Sequence, residues 1–329
     1  MPFKLYYFKT FAFILFSYLF LSCSDDDAEV NQSIVEEYIH VGDLFLTSQG
    51  NVDFYGQMNL IEVTGTLNIS SALSDPIIDL TPINSLRKVN ILSVSGNSQL
   101  ETFNGLENLR EVQNIQIFSN PRLESIDALQ LDGNIINGIG ISNLPMLENT
   151  TTFSNIEEIK VLSIGNLIWT DLFAFSGLKR VTNVFSVGDM NFLESLDGIN
   201  IEYVESDIKI ENNDQLINID ALQSITETGI SCELSILLNQ NLTNIDGFNS
   251  LTSINRIRIL DNNSLQNLDG FSNLTAITNE LDISRNESLS DFCGLVPVIT
   301  SDGLVGNFIV ENNLFNPTSF QLSQGICTE

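Results

Sequence analysis

Histidine is all but missing from this chain: His40 is the one His in 329 residues. A Ser-His-Asp triad needs an imidazole to carry its proton, and His-based zinc sites need several, so both are excluded once His40 is placed in a predicted terminal cap. Basic residues are scarce as well, 13 Lys and Arg against 42 Asp and Glu, which gives a net charge of −29. Nucleic-acid phosphates are bound by Lys and Arg that displace counterions, so nucleic acid is excluded as a partner. Such a surface favours solubility and cationic partners instead. The four Cys have no metal-ligand spacing, and neither a metal nor a cofactor is expected. Seven Pro in a chain that is 43% hydrophobic argue against disorder and for a continuous core. Long apolar runs are absent too, since the run from Phe11 to Leu21 is shorter than the roughly 20 residues that span a bilayer.

What is present is one repeated pattern. An apolar residue, any residue, then Ile or Val is followed by Asn three positions on, Leu at six, and apolar residues at nine and twelve. The central residues are Leu46, Ile69, Val94, Ile117, Ile141, Ile164, Val187, Ile210, Ile236, Ile259, Ile283 and Val310, spaced 23 to 27 residues apart. A period that steady predicts stacked coils in one elongated domain, a mainly β solenoid with parallel coils of about 23–24 residues. The apolar-x-apolar segments, such as Ile208-Lys-Ile210 and Ile257-Arg-Ile259, predict one short strand per coil with alternate residues facing inward. Twelve strands about 4.8 Å apart give a rod about 53 Å long.

The positions after the strand have separate roles. Asn97, Asn120, Asn213, Asn239, Asn262, Asn286 and Asn313 predict a ladder in which each amide both donates and accepts at a turn. In the strained stretch 139–183 the Asn slips one position, to Asn143 and Asn166. A calcium site at Asp261-Asn262-Asn263 or Asn212-Asn213-Asp214 is a weaker use of the same oxygens. Phe103, Ile126, Phe173, Leu196, Ile219, Ile245, Leu268 and Phe292, nine positions on, are expected in the core. Asp-Gly or Asp-Ala pairs such as Asp220-Ala221, Asp246-Gly247 and Asp269-Gly270 mark a turn where coils crowd.

This unit, roughly L-x-I-x-x-N-x-x-L-x-x-I-D-G-L-x-x-L-x-x-I, resembles leucine-rich repeats, and most closely the receptor L-domain variety, over residues 44–315. Receptor L-domains bind protein ligands and similar repeats occur in fungal cell-wall proteins, so the resemblance implies a habit of recognition. The Cys-rich modules and membrane helix of those receptors are missing, and their signalling role does not carry over.

At the N-terminus, Lys4 and Lys9 precede the apolar run and then Ser22 and Cys23, the layout of a secretory leader over residues 1–22. Leu21-Ser22-Cys23 resembles a bacterial lipoprotein processing site, which implies lipidation at Cys23, although Phe20 and Leu21 depart from the commonest pattern. Ser24-Asp25-Asp26-Asp27 is similar to the acidic stretch of surface lipoproteins of the Bacteroidetes group, implying an outer-membrane protein that faces outward. Residues 23–43 are then a lipidated Cys, an acidic tether and an N-terminal cap. Residues 316–329 form the C-terminal cap, with Cys293 and Cys327 as expected disulfide partners in an exported protein and Cys232 as a small core residue.

The outward strand positions hold the candidate site. Lys209, Arg256 and Arg258 are three of the eleven basic residues left once the leader is removed, and Glu211, Leu237, Leu260 and Asp282 are expected to lie beside them. A charged and apolar mixture on a rigid sheet fits a binding patch, and cross-coil pairing such as Arg258 with Asp282 is the plain alternative. The expected function is a surface lipoprotein that binds an extracellular protein or glycan through this face. A passive surface spacer is the second reading, and a β-helix carbohydrate-active enzyme the third, since no compact acidic pair stands out on the ladders.

Overall fold

A computed structural model describes residues 36–131 and 136–329. Cys23 and the expected leader, residues 1–22, lie outside the described residues.

Fifteen strands form one parallel sheet: β1 Tyr38–His40, β2 Leu44–Leu46, β3 Leu60–Ile69, β4 Lys88–Ser95, β5 Glu111–Phe118, β6 Ile136–Leu144, β7 Glu158–Leu167, β8 Arg180–Gly188, β9 Tyr203–Val204, β10 Asp207–Glu211, β11 Glu227–Thr228, β12 Glu233–Leu237, β13 Ser253–Leu260, β14 Ala276–Ser284 and β15 Asn307–Glu311. The order β1-β3-β4-β5-β6-β7-β8-β10-β12-β13-β14-β15 follows the chain, so each coil stacks on the one before it. This is a parallel solenoid of stacked coils, as the repeat predicts. All twelve central residues pair with their counterparts, from Leu46 with Ile69 to Ile283 with Val310. A slip of one residue would turn each apolar set outward, which is why the repeat holds its register.

Most strands are longer than the three-residue segment expected. β3 has 10 residues and β4 has 8, because a first arm of the coil already pairs before the apolar-x-apolar motif begins. Register shifts at Val63/Thr66, Ile159/Val161 and Ile254/Arg256 join the two arms, and in two coils the arms separate into β9 with β10 and β11 with β12. A bulge bends the strand at such a point and turns the chain around the core.

The core is continuous. Eleven of the twelve central residues are buried, and Val310 in the last coil is half-buried. Phe248 and Phe271 pack between neighbouring coils with ring centroids 6.3 Å apart and planes tilted by 31°, each ring contributing about 2–3 kcal/mol by leaving water. At the Asp-Gly turns the coils approach so closely that a Cβ on Gly270 would lie 2.0 Å from the Ile245 carbonyl oxygen. One expected core residue is outside: Phe173 is 59% exposed and Leu172 is buried in its place. Trp169 and Phe175 are likewise buried one position early, so this coil is a residue shorter after its strand than its neighbours.

Asn239 shows how the ladder works. Its Nδ2 donates to the Ile210 carbonyl at 2.8 Å, and its Oδ1 accepts from the backbone N–H of Asn213 at 3.1 Å. Asn97 and Asn120 form one such run, and Asn213 through Asn313 another. Between them Leu144, Leu167 and Met190 occupy the ladder position and are buried. Asn143 and Asn166 are not slipped ladder members. They sit one residue earlier with φ of 60° and 50°, in a column shared with Ser119, Asp189, Asn212 and Asp261, where the left-handed backbone favours Asn for itself.

The first coil contains an element the repeat did not forecast. α1, Gln49–Gln57, starts at Ser48, whose side chain accepts from the Asn51 N–H, and it buries Val52 within the first coil. At the other end α2, Val296–Thr300, and α3, Ser319–Ser323, close the last coils, α3 beginning in a capping box made by Thr318 and Gln321. Cys293 and Cys327 are disulfide-bonded, and Cys232 is a buried free thiol whose pKa burial pushes up to about 12.

Candidate functional site: the exposed strand face

Each coil presents three outward strand positions, three and one before the central residue and one after it. In β10 these are Asp207, Lys209 and Glu211, alternating with buried Ile208 and Ile210. Stacking turns the positions into columns: Asp207, Glu233, Arg256 and Glu280; Lys209, Ser235, Arg258 and Asp282; Glu211, Leu237, Leu260 and Ser284. The residues expected at the site are thus brought together on one surface.

Their chemistry differs from the expected patch. Arg256 lies between Glu233 at 3.3 Å and Glu280 at 3.6 Å, Arg258 reaches Glu233 at 3.7 Å, and Lys209 meets Asp207 at 3.2 Å. Arg258 and Asp282 are neighbours in register but form no ion pair, because Arg258 turns back to Glu233 and Asp282 accepts from the Ser284 hydroxyl at 2.6 Å. Glu211 accepts from the Ser235 hydroxyl at 3.0 Å. Half-exposed pairs of this kind are worth about 0–1 kcal/mol each, and the three cations are already neutralised by the protein. Leu260 is the clearest departure, only 6% exposed where an outward position was expected. Alternation along one strand says that Leu260 points out, but Leu237 and Ser284 in register on either side cover it.

Nearer the middle of the sheet the face changes character. Gly140, Ser142, Ser163, Gly165, Ser186 and Gly188 carry little or no side chain, and a depression of about 610 Å³ opens where β5 to β8 meet. Asn114, Gln116, Asn137, Lys160 and Asn183 surround it. Gln116 was expected on an outward ladder, but Asn137, Lys160 and Asn183 were missed because they lie four positions before a central residue, on the part of the strand the short motif leaves out.

The weaker alternatives can also be placed. Asn262 and Asn213 give their amide oxygens to the ladder and Asp261 its carboxylate to Arg285 at 2.7 Å, so three of the six side chains of the suggested calcium sites are engaged. Arg285 holds the Asp261 carboxyl below its usual range. His40 Nε2 donates to the Asp43 carbonyl at 3.1 Å and its Nδ1 pairs with the Tyr38 hydroxyl at 3.2 Å, within the cap. Among the described residues no group of three or more His, Cys, Asp or Glu is placed to hold a metal ion, and no helix is long and apolar enough to cross a membrane.

No protein-family model matches the chain, and no curated protein matches it in sequence. Among solved structures it is similar to an internalin, InlF, from Listeria monocytogenes, with 14% identity over 83% of this chain and 72% of that one and a TM-score of 0.38.

Proposed function

We propose that the protein is a surface lipoprotein that binds an extracellular protein or glycan through the exposed face of its sheet. The observation that carries this reading is the contrast between the two sides of each strand. Inward residues repeat almost without change, whereas the outward columns run from small and polar in β6 to β8 to charged in β10 to β14, a variation the coil does not require. An address at the outer membrane rests on Lys4, Lys9, the apolar run and Leu21-Ser22-Cys23, and an outward orientation on Ser24 to Asp27. Two or more acyl chains on Cys23 would give stable anchoring where one is marginal.

A passive spacer is the competing reading, favoured by the ion pairs that already occupy Lys209, Arg256 and Arg258. Two variants with wild-type melting separate them: one altered on the face (Gln116→Arg, Lys209→Glu, Leu237→Asp), the other on the turns (Phe173→Asp, Phe192→Asp). Adhesion of protein-coated beads to immobilised polysaccharides and extracellular proteins should fall for the face variant alone. Equal adhesion by both variants and the wild type would leave the spacer. For the anchor, Cys23→Ala should abolish palmitate labelling and detergent partitioning, and a mutant that still labels refutes lipidation at this residue.

A further inference from the structure

We infer that the depression over β5 to β8 is the binding site proper, and that it takes an acidic oligosaccharide, a chain of linked sugars carrying carboxylate or sulfate groups. The inference rests on the sheet-face reading above and assigns it a place and a ligand class. Asn114, Gln116, Asn137 and Asn183 line this depression, and none of these amides has a side-chain hydrogen bond among the described residues. Elsewhere the chain uses its amides heavily, in the Asn ladder and in capping turns. Four free amides converging on one hollow can each donate and accept at once, which is what adjacent sugar hydroxyls require.

Charge selects the kind of sugar. Lys160 is the cation of the hollow and has no ion-pair partner among the described residues, and no described residue lining the hollow is a carboxylate. Three other depressions on the surface each contain acids: Glu62 and Glu111, Asp189 and Glu211, and Asp302. In a chain of net charge −29 an unpaired lysine among neutral amides is a local exception, and it suits an anionic group.

The floor is open for a reason that folding does not supply. Gly140 has no positive φ, and a Cβ built on it meets nothing within 4 Å. Glycine inside a strand costs about 0.5–1 kcal/mol relative to alanine, so a glycine without a packing cause marks a place where another molecule approaches the backbone. A peptide would need apolar pockets for anchor side chains, and Val161 is the one aliphatic side chain in the hollow that is not buried in the core. Successive coils rise about 4.8 Å, close to the length of one sugar in an extended chain, so a saccharide lying across the strands meets an equivalent row at each residue.

The test titrates the full chain with three probes of equal length, a uronic-acid oligosaccharide, a sulfated oligosaccharide and a neutral one, by calorimetry. One or both acidic probes should bind and the neutral one should bind at least about tenfold more weakly, the value of one charge-assisted contact. Lys160→Gln should weaken the acidic probe by a similar factor, and Gly140→Trp should abolish binding with melting and circular dichroism unchanged. Arg122→Gln, on a turn away from the sheet face, should bind as wild type. Preference for the uronate or the sulfate probe identifies which anion is read. The inference is overturned if neither acidic probe binds, or if binding survives both Lys160→Gln and Gly140→Trp. Should the probes fail while the face variant still loses bead adhesion, the sheet-face reading stands and only the saccharide assignment falls.

Discussion

A single ladder asparagine serves several partners. Asn262 accepts from the backbone and side-chain N–H groups of Asn239 and donates to the carbonyls of Ile236 and Leu260. Asn262→Leu would leave these buried groups unmatched and should cost about 3 kcal/mol or more, read from denaturant unfolding. Leucine is tolerated at Leu167 because the coils on both sides, with Leu144 and Met190, dispense with the polar partner as well, and replacing both members of a hydrogen bond costs far less than orphaning one. Asp246 gives a pH-dependent case. Burial, then the neighbouring Asp220 and Asp269, raise its pKa above the ordinary carboxylate value, so the fold disfavours its charged form. The penalty applies above that raised pKa and is relieved as acid protonates the group, so Asp246→Asn should raise Tm slightly at pH 7, with the gap closing as the pH falls through the raised pKa. The ladder was legible in the sequence residue by residue; Asn143 and Asn166 were misread because two columns one residue apart both select Asn, one for its amide and one for its tolerance of positive φ.

Elements were legible to the extent that they repeat. The twelve central positions fixed strand order and register correctly, since a parallel coil offers few other ways to bury them. α1 was not, because its buried contact is the single residue Val52 and its sequence carries no apolar stripe. Leu260 and the first arms of the strands escaped for a shared reason: both depend on what the neighbouring coil covers, and a three-residue motif describes only its own coil. The C-terminal cap shows the same reliance on distant chain. The Cys293–Cys327 bond spans 34 residues, and it holds the segment whose Phe292 N–H donates to the Cys327 carbonyl at 2.8 Å. Replacing both cysteines with Ser should cost about 4 kcal/mol on the loop-entropy scale. Hydrogen exchange should quicken in β15 and α3 first and leave β4 to β8 protected.

Taken whole, the molecule divides its chemistry between a face and a scaffold, and only the scaffold is written plainly in the sequence. The charged end of the face is consumed in ion pairs, which no count of basic residues could reveal, whereas Lys160 looked like any surface lysine until the coils placed it among unbonded amides. With a net charge of −29 the folded chain repels itself, so Tm should rise between 10 mM and 150 mM NaCl, as screening shortens the reach of each charge from about 30 Å to about 8 Å. The gap in the Asn ladder has a mechanical meaning. Leu144, Leu167 and Met190 separate two zippers, so a molecule held at one end and pulled at the other should give way as two blocks with a seam between them. The proposed saccharide hollow overlies that seam, and a rigid ligand laid across it would act as a splint.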